Sequence, residues 1–180
     1  MAGPRLNAEM ADIGIREATP DDAEGIVSVL NPIIETGAYT VLDRLLTADD
    51  ERAFIRSCSP RGVFLVAIDR ANDALVGFQN TQPIATYTHA FDHVGEMGTY
   101  VDLGRRRQGI AKQLFEASFA TAIEKGYEKI FTFVRADNPA ALQTYLSQGF
   151  HRVGTARRHA KVRGQYVDET LIEKFLDIQP

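Results

Sequence analysis

Arg106-Arg107-Gln108-Gly109-Ile110-Ala111 stands between an apparent strand and a long amphipathic helix, with the spacing Arg-x-x-Gly-x-Ala. The small residues let the backbone turn tightly, so that successive N–H groups face one centre. That centre lies over a helix start, whose unpaired amides and positive dipole end favour an anion, typically a phosphate. The stretch reads as a pyrophosphate cradle. Ordinary turn chemistry at a strand-to-helix connection is the plain alternative.

The flanks give the frame. Upstream, Val94-Gly95-Glu96-Met97-Gly98-Thr99-Tyr100-Val101 suits a strand, and period two puts Glu96, Gly98 and Tyr100 on one face. Downstream, Ile110, Leu114, Ala117, Ser118 and Ala122 form the inner face of a helix widened by Phe115 and Phe119, ending at Lys125-Gly126. Lys129 to Val134 is an apolar strand. Asp137 or Asn138 then caps a helix from Pro139 to Gly149, with Leu142, Tyr145 and Leu146 inward. Phe150 to Thr155 and Tyr166 to Phe175 read as two last strands joined around Arg163-Gly164.

Nearer the N-terminus, Ile13 to Arg16 alternates like a strand, and Thr19-Pro20-Asp21-Asp22 opens a helix running to about Thr36-Gly37. A second helix begins after Thr47, with Phe54 and Ile55 inward; Val63 to Ile68 is a strand and Ala74 to Phe78 begins the next. The order is β-α-α-β-β-β-α-β-α-β-β, an α/β or α+β domain with a mixed sheet. Met1 to Met10 reads as a loose tail ahead of a single domain over residues 11–180.

Composition sets the outer limits. The apolar share is 44% and the charged share 24%, ordinary for a globular domain of this size. A net charge of −4 argues against a general nucleic-acid binder, despite Arg105-Arg106-Arg107. Cys58, the only cysteine, permits no intrachain disulfide and suits a reducing cytoplasm. It has no base beside it in Ser-Cys-Ser-Pro. No apolar run reaches the ~20 residues of a membrane span, and no signal-like core opens the chain. The expected location is cytoplasmic, with no membrane or nucleic-acid partner.

Two motifs about thirty residues apart then combine. Arg-x-x-Gly-x-Ala is followed, in order, by Asn138-Pro139-Ala140 and Tyr145-Leu146-Ser147-Gln148-Gly149-Phe150. This arrangement resembles the GNAT-type acetyl-CoA-dependent N-acetyltransferases from about Ile13 to Leu176. Asn31-Pro32-Ile33-Ile34-Glu35-Thr36, Glu96 to Val101 and Gly164-Gln165-Tyr166-Val167-Asp168-Glu169 resemble the phosphinothricin acetyltransferase-like branch. That branch acetylates primary amines of small amino-acid-like compounds. The chain departs from it in having no tryptophan. Thr88-His89-Ala90-Phe91-Asp92-His93 also lacks the arginine and tyrosine expected there. The resemblance therefore implies the branch rather than phosphinothricin itself as substrate. It further implies a mostly antiparallel sheet of about seven strands flanked by about four helices, and a homodimer.

Acetyl transfer from a thioester to an amine has three requirements. The acceptor must be neutral, although a lysine-like ammonium has a pKa near ~10.4, so a base or proton wire is needed. The developing oxyanion needs preorganised donors. The departing thiolate leaves more readily if protonated.

The resemblance puts the base at Glu96 and the acid at Tyr145. Arg106, Arg107, Gln108, Gly109, Ile110 and Ala111 would hold the pyrophosphate of acetyl-CoA. The backbone of Thr99, Tyr100 and Val101 would meet pantetheine, with Val101 as oxyanion donor and Asn138 touching the cofactor. Glu35 to Tyr39 and the loop Tyr87 to His93, including Glu35, Tyr39, Tyr87, His89 and His93, would form the acceptor pocket. The plain readings are a solvated Glu96, a core Tyr145 and an Asn138 that only caps its helix.

His89, Asp92 and His93 have metal-ligand types but no partner cluster, so no metal is expected. A protein or peptide acetyltransferase and a non-catalytic acetyl-CoA sensor are the remaining alternatives. A Rossmann-type nucleotide module is excluded, because no G-x-G-x-x-G follows the first strand.

Overall fold

Short apolar runs and amphipathic helices alternate along residues 12–176, which a computed structural model describes. The strands are β1 (Ile13–Glu17), β2 (Val63–Asp69), β3 (Ala74–Pro83), β4 (Val94–Val101), β5 (Lys129–Arg135), β6 (His151–Val162) and β7 (Gln165–Phe175). The helices are α1 (Ala23–Thr36), α2 (Ala48–Ser57), α3 (Ile110–Glu124) and α4 (Pro139–Ser147). The expected N-terminal tail lies outside the described residues.

The strands form one sheet in the order β1-β2-β3-β4-β5-β7-β6. Only the β4–β5 pair is parallel, so the mixed, mostly antiparallel sheet and the helix number agree with expectation. One core half packs α3 and α4 against the sheet, with Ile110, Leu114, Phe115, Leu142 and Tyr145 meeting Met97, Ile130 and Ile172. The other packs α1 against the opposite face, with Ile26, Leu30 and Ile34 meeting Phe64, Val66 and Phe78.

Local signals account for the element ends. Thr47 and Asp50 form a reciprocal capping box at α2, with Asp50 N donating to Thr47 Oγ1 at 3.1 Å and Thr47 N to Asp50 Oδ2 at 2.9 Å. Thr47→Ala is expected to cost about 1 kcal/mol, read from a urea melt. Arg163 and Gly164 both have positive φ, 48° and 82°, and close the β6–β7 hairpin in two residues.

Two local expectations are corrected. Phe54 is 40% exposed, its edge on Phe64 at 5.9 Å. Glu51 instead faces inward on α2 and is buried. The helix turns Glu51, Ile55 and Cys58 along one stripe, and geometry outweighs the polarity of the carboxyl. β6 is also longer than the expected Phe150 to Thr155, running to Val162 with register shifts at Arg152/Gly154 and Ala156/Ala160. Its polar run hides strand structure because most of it faces solvent at a sheet edge.

Candidate active site

The site lies where β4 and β5 part. Their ladder runs only from Val94↔Lys129 to Glu96↔Phe131, although β4 continues to Val101 and β5 to Arg135. On the other side of β4, Asp102 N donates to Val76 O at 2.9 Å and Ile84 N to Val94 O at 3.2 Å. Even-numbered residues of β4 therefore exchange bonds with β3, and odd-numbered ones aim at β5. Met97 O accepts from Thr132 Oγ1 at 2.7 Å. Beyond it the N–H and C=O of Thr99 and Val101 point into the gap.

The pleat sorts side chains to its two sides. Met97 belongs to the α3–α4 core half and Tyr100 packs with the α1 half. Thr99 thus shares Tyr145's side, while Glu96 and Gly98 share the side of the α1–α2 loop. A cavity of about 410 Å³ joins both sides, and its walls include Glu96, Thr99, Tyr145 and Tyr39.

Glu96 is half-buried against this cavity. Burial, and then the nearby charge of Glu169, raise its pKa above the usual carboxylate range. Tyr145 is buried among Phe115 and Phe150, each 5.1 Å away edge to face. Its hydroxyl donates to Thr99 Oγ1 at 3.0 Å. Gln79 Nε2 donates to the same oxygen at 2.7 Å. Desolvation raises the Tyr145 pKa well above its ordinary value, so the phenol keeps its proton.

The Arg106 to Ala111 stretch forms the turn that leads into α3. Gly109 takes φ 79° and caps α3 without a side-chain bond, leaving the first-turn amides open. Arg107 is also left-handed, φ 62°. Arg105 fixes the loop through Asp69 at 2.6 Å and Gln108 Oε1 at 3.0 Å. Arg106 lies over the Tyr39 ring at 4.1 Å. Ile110 is a core residue and Ala111 packs against that core. Asn138 Oδ1 accepts from Ala141 N at 3.1 Å, which makes it the α4 cap.

Of the expected acceptor residues, Tyr39 lines the cavity, whereas Glu35, Tyr87, His89 and His93 do not. Tyr87 is 85% exposed, and His89 Nδ1 lies 3.0 Å from Asp92 in the β3–β4 connection. The wall comes instead from the α1–α2 loop, through Tyr39 to Leu42. Asn31 ties the loop's far end in both directions, Nδ2 to Leu46 O at 2.9 Å and Leu46 N to Oδ1 at 3.0 Å. Arg135 ties the near end, donating to Gly37 O at 2.9 Å and Thr40 O at 3.1 Å.

Sequence reasoning assigned no role to Arg135 or Glu169. The signal was there for Glu169, since period two places it between Val167 and Leu171 on a buried face. Among the described residues no group of three or more His, Cys, Asp or Glu side chains could hold a metal ion. No described helix is long and apolar enough to cross a membrane.

Comparison with known proteins gives the family and the fold. The profile described as Acetyltransferase (GNAT) family matches residues 34–150. A phosphinothricin N-acetyltransferase of Streptomyces coelicolor is 21% identical over 168 residues, 92% of this chain and 98% of the relative. The phosphinothricin acetyltransferase of Sinorhizobium meliloti, solved with acetyl-CoA, superposes with a TM-score of 0.83 at 17% identity over 91% of this chain and 88% of that one. The ribosomal-protein-alanine N-acetyltransferase of Brucella melitensis superposes with a TM-score of 0.82 at 23% identity over 91% and 99%. The chain belongs to the GNAT acetyltransferase family, the acetyl-CoA-dependent N-acetyltransferases.

Proposed function

We propose that this enzyme moves an acetyl group from acetyl-CoA to a primary amine of a small amino-acid-like acceptor, directly within a ternary complex. The observation that carries the reading is the β4–β5 opening, flanked by Glu96 on one face of β4 and Tyr145 on the other. The acceptor amine enters from the α1–α2 loop side, where Glu96 removes its proton directly or through one water. The thioester lies in the gap, where the backbone N–H of Val101 faces the carbonyl oxygen as charge develops on it. Tyr145, kept protonated by burial, gives its proton to the departing sulfur from the α4 side.

Arg106 to Ala111 hold the pyrophosphate over the start of α3. Gly109→Ala is expected to cost about 1–2 kcal/mol of strain at its left-handed φ. It should also raise KM for acetyl-CoA with little change in kcat, which initial rates at varied acetyl-CoA will show.

The doubly tied α1–α2 loop favours a small acceptor over a peptide. The reading includes one domain over residues 11–180 in a cytoplasmic homodimer. The lone cysteine and the branch resemblance support location and assembly respectively. Thiol release from acetyl-CoA against amino acids, phosphinate and sulfone analogues, polyamines and short peptides tests the function. Turnover on a small amine is the expected result. Tight acetyl-CoA binding with no turnover on any of them would point to a sensor instead.

A further inference from the structure

The acceptor cavity holds a second carboxylate to which the transfer reading gives no task. Glu169 on β7 is 4% exposed and shares the cavity wall with Glu96. Its carboxylate has no hydrogen-bond or ion-pair partner among the described residues. A carboxylate so placed is costly, and an apolar residue between Val167 and Leu171 would pack without that cost.

The neighbouring cations do not neutralise it. Arg135 is its register partner on β5, but the guanidinium is engaged elsewhere. Nε and Nη2 donate to the Asp137 carboxylate at 2.9 and 2.8 Å, and Nη1 to the two loop carbonyls. Asp137 thereby balances the charge of Arg135. His159 of β6, its ring tilted against Phe133 with centroids 5.8 Å apart, is exposed. Glu96 and Glu169 therefore face the cavity as a pair without direct ion-pair partners, and Tyr39, Phe54, Tyr100 and Phe133 supply aromatic faces beside them. Arg135 and His159 act on Glu169 only through space, and aromatic walls with carboxylates free of any ion-pair contact suit organic cations.

We propose that Glu169 is a specificity-determining residue that binds a second cationic nitrogen of the acceptor, so that the preferred substrates are small amines carrying two positive groups. Short diamines and basic amino acids share this chemistry. The pairing of the reacting amine with Glu96 rests on the transfer reading, whereas cation binding by Glu169 does not. Burial holds the pKa of both carboxyls up, and an incoming dication supplies the countercharge that the protein lacks. Acceptors bearing a carboxylate or phosphinate without a second cation meet repulsion instead.

Calorimetric titration of putrescine, ornithine and n-butylamine, with coenzyme A present, separates the possibilities for the unmodified protein and for Glu169→Gln. Putrescine or ornithine is expected to bind roughly 10- to 100-fold more tightly than n-butylamine. Glu169→Gln should abolish that ratio without weakening n-butylamine and with coenzyme A affinity unchanged. The tighter binder of the two, putrescine or ornithine, identifies the source. Glu169→Asp should retain part of the preference.

Equal affinities for putrescine, ornithine and n-butylamine would overturn the assignment. So would a Glu169→Gln variant that weakens n-butylamine as much as putrescine. Thiol-release assays run alongside keep the two readings apart. Dication preference without turnover leaves this assignment standing and removes the transfer reading; turnover without preference does the reverse.

Discussion

Glu96→Gln is expected to lower kcat by about 10²- to 10⁴-fold, the usual contribution of a positioned general base. Acetyl-CoA affinity should hardly change, because the carboxylate lies on the face of β4 opposite Tyr145. As a base Glu96 must be ionised, and burial together with Glu169 raises its pKa. The acid limb of the kcat profile should therefore sit above the ordinary glutamate value near ~4.3 and vanish in the variant. Stability moves the other way. The folded state holds the Glu96 proton more tightly than the unfolded chain, so the fold loses stability as pH rises from the unfolded pKa through the folded one. Glutamine removes that penalty, and the variant should melt higher than the parent at neutral pH while being far less active. Thermal melts across pH, run with initial rates, check both signs.

Tyr145→Phe is expected to lower kcat by about 10²- to 10³-fold, within the range for a positioned general acid. The ring stays wedged between Phe115 and Phe150. What is lost is the hydroxyl and its bond to Thr99, worth about 1 kcal/mol of stability. A purely structural tyrosine would show the stability loss alone. The kinetic signature is a fall in kcat that depends on the leaving thiol: acetyl donors with more acidic thiols should recover part of the rate. Rates with coenzyme A thioester analogues of graded thiol acidity measure it.

Much of this site was legible because its parts are local. Gly109 before an amphipathic run marked a tight turn into a helix, and alternation in β4 separated Glu96 from Thr99 without any tertiary information. Tyr145 followed from its motif and its stripe with Leu142. Residues whose role depends on pairing between distant strands were not legible. Arg135 closes an apolar strand, and only its reach to Gly37 and Thr40, nearly a hundred residues away, makes it the anchor of the cavity wall. Glu169 becomes a cavity residue because β7 inserts between β5 and β6, an order no local pattern encodes. Tyr87, His89 and His93 lie outside the cavity for the converse reason. Their side-chain types suit substrate contact, yet none of them lines the cavity, and His89 pairs with Asp92, which Arg61 also holds.

The central claim, that Glu96 deprotonates the acceptor inside a ternary complex, is tested most directly by single-turnover acetyl transfer from bound acetyl-CoA across pH. The parent and Glu96→Gln should be compared on the best amine found. The account predicts an acid limb in the parent that disappears in the variant, with the transfer step slowed about 10²-fold or more. A variant that keeps the same limb and the same transfer rate would contradict it.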